Sequence, residues 1–337
     1  MRVLDSHLHL WDNEVLAYTW LDGPLAFRFA DLELEHARLG GAARETATGE
    51  TASDENAIDE TAIFVQAETV EDDFLAEVEW VETMASALGI VGIVAGARLD
   101  RGVDTITHLD ELAAHPLVVG VRHNLQGEPD GLAVSTAFVT GAREVAARGW
   151  TFDACVRADQ LSDVARLAGA IPDLRLLLDH LGKPAVGTAS APLLPSAEWL
   201  RDVGELARHP LAFCKLSGLP GEAGGDWTAA QFEPFLDAAA DAFGIERLMW
   251  GSDWPVSVIG PAEEGDPHAP ADGSDTYQPT ARTRWADAVI AWARDRGHDV
   301  DALLWANVES FYRLGAPHAI AVEPPRRKGF FDRLFGG

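Results

Sequence analysis

Short apolar segments alternate with longer amphipathic segments along most of this chain, and this repeat constrains its fold more than any other feature. Buried strands are predicted at residues 2–10, 63–67, 91–96, 117–122, 151–156, 174–179, 211–216 and 247–252. Helices are predicted after the second to eighth strands, at residues 72–88, 103–114, 135–148, 159–170, 196–208, 228–243 and 280–296. Eight strand–helix units in 337 residues predict an α/β protein with one domain, a (β/α)8 or TIM barrel.

An open, doubly wound sheet is the alternative architecture, because near-continuous apolar strands suit any parallel sheet that is buried on both faces. Such a sheet usually carries a glycine-rich phosphate-binding turn after its first strand. The sequence has no G-x-G-x-x-G after residues 2–10 and no P-loop anywhere. The barrel is therefore the favoured prediction.

Two segments fall outside the repeat. Residues 40–61 contain repeated Thr and Ala and six acidic residues against the single Arg44. They can bury little apolar surface, so a flexible and dispensable insertion is predicted within a barrel domain of residues 1–315. The tail, residues 316–337, has a basic cluster at 326–328 followed by Phe330, Phe331, Leu334 and Phe335. We expect this tail to dock on the barrel or on a second subunit, which would make a homo-oligomer.

Composition excludes several classes of partner. The chain has 54 acidic against 26 basic residues and a net charge of −28, which would repel nucleic acid and anionic membranes. No apolar stretch approaches the roughly 20 residues of a membrane span. The two cysteines, Cys155 and Cys214, lie in apolar segments and indicate no disulfide framework. A cytoplasmic protein with a small-molecule substrate is the expectation.

Polar side chains concentrate where the predicted strands end. A strand alternates its faces, so Asp5, His7 and His9 are predicted to point the same way. In a barrel the active site lies at the carboxyl ends of the strands. The polar residues at these ends are His7, His9, Gln66, Glu68, Arg122, His123, His180, Lys215 and Asp253. Three of the histidines together with Asp253 can supply the ligands for one divalent ion and leave a position for water.

Several of these residues also have a purely structural interpretation. His180 could cap the following loop, and Asp253 could be a turn residue ahead of Trp254. His123 lies one residue past its strand and could point away from the centre, and the face of Lys215 is left open. Tryptophans in strand-end loops could stack on a sugar or belong to the core: Trp11, Trp20, Trp227 and Trp254.

Five ordered motifs resemble the amidohydrolase superfamily, specifically its amidohydrolase 2 branch. They are DSHLHLWD at 5–12, FVQAE at 64–68, LDHLGKP at 178–184, CKLSG at 214–218 and WGSDWP at 250–255. Within the branch the chain is most similar to sugar lactonases of the L-fuconolactonase and L-rhamnonolactonase group, and more distantly to 2-pyrone-4,6-dicarboxylate lactonase. The likeness runs from residue 2 to about residue 315 and leaves out residues 40–61 and the tail.

This resemblance implies a hydrolase of carbohydrate metabolism that opens a sugar-acid lactone. Asp253 would act as the general base on water held near His7, His9 and His180, and His180 would help to polarise the carbonyl. These four residues would also hold one divalent ion, most readily zinc. Arg122 is expected to orient an oxygen-rich or carboxylate-bearing substrate. The other expected substrate contacts are His123, Lys215, Gln66, Glu68 and Trp254.

Alternatives stay open at this point. The branch contains both zinc-dependent and metal-independent lactonases, so the metal requirement is not fixed by the resemblance. The fourth strand lacks the lysine that bridges two metals in other branches, so a second ion is not expected. A metal-dependent decarboxylase of an aromatic acid would use the same fold, and a barrel that has lost catalysis could bind a ligand instead.

Overall fold

Eight parallel strands, hydrogen-bonded in chain order, form the centre of the computed structural model, which describes residues 1–39, 58–260, 276–278 and 280–315. The strands are β1 Arg2–Leu8, β2 Asp59–Val65, β3 Ile90–Gly96, β4 Val118–Arg122, β5 Thr151–Ala154, β6 Arg175–Leu178, β7 Ala212–Leu216 and β8 Leu248–Trp250. A parallel bridge between Leu8 and Trp254 brings the first strand to the chain that leaves the last. The predicted (β/α)8 barrel is confirmed.

Helices lie between the strands and around the barrel. They are α1 Asp31–Ala37, α2 Phe74–Leu88, α3 Val103–Leu112, α4 Thr136–Ala147, α5 Leu161–Ala170, α6 Ala197–Ala207, α7 Leu219–Glu222, α8 Ala229–Phe243, α9 Ala281–Arg296 and α10 Asn307–Tyr312. The Ser135 and Ser196 side chains accept hydrogen bonds from backbone N–H groups in the first turns of α4 and α6, which fixes where those helices begin. All seven predicted helices are present, whereas α1, α7 and α10 were not predicted.

Two hydrophobic clusters stabilise the barrel. The larger one fills the layer between strands and helices. The smaller one occupies the barrel interior, where Leu4, Ile63, Val94 and Leu177 from different strands meet. The last helix, α10, packs against this inner cluster through Val308, Phe311 and Tyr312. Because both faces of the strands are covered, strands such as β3, with the sequence IVGIVAG, are nearly continuously apolar.

The second strand begins earlier than predicted. Asp59, Glu60 and Thr61, assigned from composition to the insertion, belong to β2 and pair with β1. The predicted end of the insertion at residue 61 is therefore wrong. Glu60 can occupy a strand because its carboxylate lies 2.7 Å from the guanidinium of Arg282 on α9. Residues 40–57 and 316–337, with the predictions made for them, lie outside the described residues.

None of the helices in the described ranges is both long enough and apolar enough to cross a membrane. Cys155 and Cys214 are both buried free thiols.

Candidate active site

Four side chains from three different strand ends converge at one end of the barrel. His7 lies on β1 and His9 just after it, His180 follows β6, and Asp253 follows β8. The Nε2 atoms of His7 and His9 are 3.1 Å apart. The Asp253 Oδ1 atom lies 3.4 Å from His9 Nε2 and 3.7 Å from the Nε2 atoms of both His7 and His180. These four residues are the candidate reaction centre, and we call them the catalytic cluster.

A bulge in the first strand creates this convergence. The pairing of β1 with β2 shifts register between Asp5 and Leu8. The predicted common face of Asp5, His7 and His9 is therefore wrong: Asp5 Oδ2 accepts a 2.8 Å hydrogen bond from Arg282 on α9, whereas His7 faces the barrel interior. A bulge re-aims the side chains that follow it, and here it directs both histidines to the centre.

The side-chain atoms of the catalytic cluster that point away from its centre are hydrogen-bonded to other residues. The His9 Nδ1–H donates to the Val65 carbonyl at 2.8 Å, and since a carbonyl only accepts, a neutral His9 keeps its Nε2 lone pair free. His180 Nδ1 lies 2.9 Å from the Ser217 hydroxyl. The Ser257 hydroxyl donates to Asp253 Oδ2 at 2.7 Å. Imidazole nitrogens and a carboxylate oxygen, each oriented by a second partner, form a donor set that suits a zinc-like ion.

Lys215 lies behind His7, fully buried. Its Nζ is 3.0 Å from His7 Nδ1, donates to Asp153 Oδ2 at 2.6 Å, and is 3.0 Å from Asp179 Oδ1. The Tyr312 hydroxyl from α10 also donates to Asp153. The structure thus places Lys215, predicted to contact substrate, among buried charges beneath the catalytic cluster.

Burial and charge set the protonation of the catalytic cluster. Burial alone would raise the pKa of Asp253, but His180, His9 and His7 together bring that pKa below its usual range, so the carboxyl is ionised at neutral pH. Burial lowers the pKa of His180 to about 4. Burial, and then the nearby Lys215 ammonium, lower the pKa of His7 well below its usual value. Neutral imidazoles beside an ionised carboxylate are the forms that can bind a metal or accept a proton.

The backbone is unusual where the catalytic cluster forms. His180 and Asp253 both have a φ of 54°, in the left-handed region that residues other than glycine rarely occupy. Such conformations persist only where the surroundings enforce them, as at binding sites. The Asp253 N–H donates to the His7 carbonyl at 2.8 Å, and Gly218 approaches the His180 ring so closely that a Cβ there would lie 2.5 Å from Nδ1.

A second group of predicted residues surrounds a neighbouring cavity of about 310 Å³ at the ends of β2, β3 and β4. Arg122 donates from Nη2 to the Gln66 carbonyl at 2.5 Å. The Gln66 side chain in turn donates to the Glu68 carboxylate, which is half-buried. His123 also lines this cavity, where its Nδ1 accepts from the Leu99 N–H at 3.2 Å. His123 is therefore separate from the catalytic cluster.

The tryptophans are packed in the protein. Trp254 is fully buried and meets the ring of Phe29 edge to face, with centroids 5.6 Å apart. Trp11 is also fully buried, and its Nε1–H donates to the carbonyls of Leu25 and Phe27. These contacts indicate a core role, since they hold the loop after β1 against the barrel.

Sequence reasoning missed the residues that support the catalytic cluster. Asp179 and Ser217 stand inside motifs that were recognised, so their positions could have drawn attention. Nothing in the sequence marks Asp153 or Tyr312 as part of the site. One is a carboxylate in a short apolar strand and the other a tyrosine near the end of the described chain, and only the tertiary fold brings them to Lys215.

Comparisons with known proteins agree with this architecture. A family model described as amidohydrolase matches residues 4–307. An L-fucono-1,5-lactonase from Burkholderia ambifaria is 33% identical over 184 residues, which are 54% of this chain and 62% of that relative. An L-fucono-1,5-lactonase from Burkholderia multivorans is 32% identical over 273 residues, 76% of this chain and 83% of the relative.

A solved structure of an amidohydrolase from Burkholderia multivorans with bound zinc is also similar. It has a TM-score of 0.69 and 27% identity, and the match covers 93% of this chain and 100% of that one. With a family model matching residues 4–307 and a barrel whose catalytic cluster lies at the strand ends, the chain belongs to the amidohydrolase family.

Proposed function

We propose that the protein hydrolyses the lactone ring of a sugar acid. The convergence of three imidazoles and the Asp253 carboxylate at the carboxyl ends of the barrel strands carries this proposal. The lactonases among its relatives support the choice of substrate class. The sequence has no G-x-S-x-G motif of the kind that would suggest a serine nucleophile, which favours direct attack by water.

The donor set fits one divalent ion, most readily zinc. His7, His180 and Asp253 offer ligand atoms that all lie within 4.8 Å of one another, and His9 Nε2 lies beside them. Such an ion would lower the pKa of bound water and polarise the lactone carbonyl. Strand β4 is VVGVR and has no lysine to bridge a second ion, so one ion per chain is proposed.

Asp253 transfers the proton in this reaction. Its Oδ1 accepts a proton from water as the water oxygen bonds to the lactone carbonyl carbon, and the proton then passes to the ring oxygen as the C–O bond breaks. Ser257 holds the other carboxylate oxygen and keeps Oδ1 directed at the three imidazoles. Water is consumed and one hydroxy acid forms, so no covalent intermediate is needed.

Arg122 orients the substrate. Its guanidinium lines the cavity, donates to the Gln66 carbonyl and lies 3.5 Å from Asp179. Asp179 in turn lies 3.3 Å from His7 Nδ1, so Arg122 connects the cavity to the catalytic cluster. A lactone carbonyl at the catalytic cluster would leave the rest of the sugar near Glu68 and His123, which line the cavity.

Acid release from a panel of aldono-1,4- and 1,5-lactones tests this function. The protein would be purified, its metal content measured by mass spectrometry, and hydrolysis followed with a pH indicator before and after chelation. We expect acid release with one zinc per active chain. Absence of hydrolysis by zinc-loaded protein would reject the proposal, and carbon dioxide released from an aromatic acid would favour the decarboxylase.

A further inference from the structure

The cavity beside the catalytic cluster has one acidic group without a cationic partner. That group is Glu68, and no cation lining the cavity lacks a carboxylate partner among the described residues. We propose that the enzyme accepts uncharged, hydroxyl-rich lactones and excludes lactones that carry a carboxylate, with Glu68 as the selecting residue. This inference rests on the proposed lactone hydrolysis.

The cavity is large enough for the body of a monosaccharide. Its volume of about 310 Å³ lies at the lower end of the roughly 300–1,000 Å³ that is usual for ligand pockets. Its polar lining includes Glu68, Arg98, Arg122, Asn124 and Gln126. Carboxylate, amide and guanidinium groups together offer both donors and acceptors, as the hydroxyls of a sugar require.

The two arginines of the cavity are already neutralised. Arg98 lies 2.5 Å from Glu128 and 3.5 Å from Asp100. Arg122 lies 3.5 Å from the buried carboxylate of Asp179. An incoming carboxylate would have to compete with these protein carboxylates for the same guanidinium groups. Neither arginine therefore offers a free positive charge to a substrate.

The remaining positive groups nearby also have carboxylate partners. Lys183, which donates to the Gln126 side chain at 2.6 Å, lies 3.9 Å from Glu222. Lys215 lies between Asp153 and Asp179, so the two buried carboxylates balance Lys215 and Arg122. Burial lowers the pKa of His123 to about 4, which leaves this imidazole uncharged at neutral pH. Arg98 has two carboxylate partners, so the charges beneath and beside the cavity sum to about −1 before Glu68 is counted.

Glu68 is held in place to act on a ligand. Its φ of 59° is rare for a residue with a side chain, and the Gln66 side chain accepts from its N–H at 2.6 Å and donates to one of its carboxylate oxygens. A fixed carboxylate accepts hydrogen bonds from sugar hydroxyls and repels a substrate carboxylate in the same position.

A matched pair of lactones tests the selection. D-Glucono-1,4-lactone and D-glucaro-1,4-lactone share one ring and differ in the group at carbon 6, which is a hydroxymethyl in the first and a carboxylate in the second. We expect kcat/KM to be at least about tenfold higher for the uncharged member, about 1.4 kcal/mol. Glu68→Gln should raise KM for the uncharged lactone and reduce this ratio severalfold.

The control is Glu71→Gln, which removes the same charge from an exposed residue paired with Arg101 at 3.3 Å. It should leave both the ratio and KM unchanged. Equal or faster hydrolysis of the carboxylated lactone, or equal effects of the two variants, would overturn charge selection while leaving lactone hydrolysis intact. Hydrolysis of neither member, nor of any lactone in the wider panel, would overturn the proposed function and this inference with it.

Discussion

Single residues decide how closely the backbone can approach the catalytic cluster. Gly218 has a φ of 72°, and a Cβ at this position would lie 2.5 Å from His180 Nδ1. The space that His180 occupies therefore exists only because residue 218 lacks a side chain.

Gly218→Ala should displace His180, weaken zinc binding about 10- to 100-fold and remove more than about 90% of lactone hydrolysis, as loss of the groups that orient a ligand typically does. Gly102→Ala is the control, because Gly102 has a similar φ of 61° but nothing within 4 Å of the added Cβ. It should cost about 1 kcal/mol of stability and leave zinc binding unchanged. Equal zinc affinity in the two variants, measured by calorimetry, would contradict this role.

The residues of the catalytic cluster could be predicted from the sequence, whereas the residues that support them could not. His7, His9, His180 and Asp253 stand at strand ends, where chain order alone brings them to one end of a barrel. The position of Lys215 depends on which face of β7 turns inward. The sequence leaves that open, because Lys215 shares its strand face with both the apolar Phe213 and the polar Ser217. Its partners come from other strands and are visible only in the fold.

The bulge in β1 divides the strand into a part that contacts the helix layer and a part that supplies the histidines. Before the bulge, Asp5 faces the helix layer and contacts Arg282, which also lies 2.7 Å from Glu60 on β2. After it, His7 and His9 face the barrel interior. Arg282 thus joins α9 to the first two strands through an ion triad whose side chains are at most 5% exposed.

Arg282→Met should destabilise the protein by about 3–5 kcal/mol, because it leaves two carboxylates buried without their cation. Arg201→Met removes an exposed arginine paired with Asp202 and should cost at most about 1 kcal/mol. Urea unfolding followed by circular dichroism measures both. Similar losses in the two variants would show that the triad contributes little.

Element boundaries were predicted less well than element types. The eight strands and seven long helices could be predicted from apolar periodicity, which can be read directly from the sequence. The start of β2 was missed because Asp59 and Glu60 look like insertion residues until Arg282, far along the chain, supplies the buried charge. The short helices α1 and α7 were missed because four to seven residues carry too little periodicity to identify a helix.

For the molecule as a whole, buried neutral histidines make stability depend on pH. Burial lowers the pKa of both His123 and His180 to about 4. The unfolded chain takes up protons at these groups below about pH 6.5, whereas the folded chain does not until about pH 4. The free energy of unfolding should therefore fall as the pH drops from 6.5 towards 4. Burial raises the pKa of Glu77 to about 8, which acts in the opposite direction.

His123→Gln isolates the contribution of His123 to the pH dependence of stability, because Glu77 is the same in the variant and the wild type. Between pH 6.5 and 5 the variant should lose between about 1 and 2 kcal/mol less than the wild type, because His123 of the unfolded chain is only half protonated at pH 6.5 and the full slope is about 1.4 kcal/mol per pH unit. Urea unfolding at both pH values measures the difference. Parallel losses in the two proteins would show that His123 is protonated equally in the folded and unfolded chains.

Turnover by Asp253→Asn at saturating zinc shows whether Asp253 is the base that activates water for lactone hydrolysis. The variant keeps size and shape but loses the proton acceptor, so kcat should fall about 10²- to 10⁴-fold while circular dichroism stays unchanged. Asp241→Asn, at an exposed position on α8, should retain wild-type turnover. A folded Asp253→Asn protein that kept more than about a tenth of wild-type turnover would show that Asp253 is not the base.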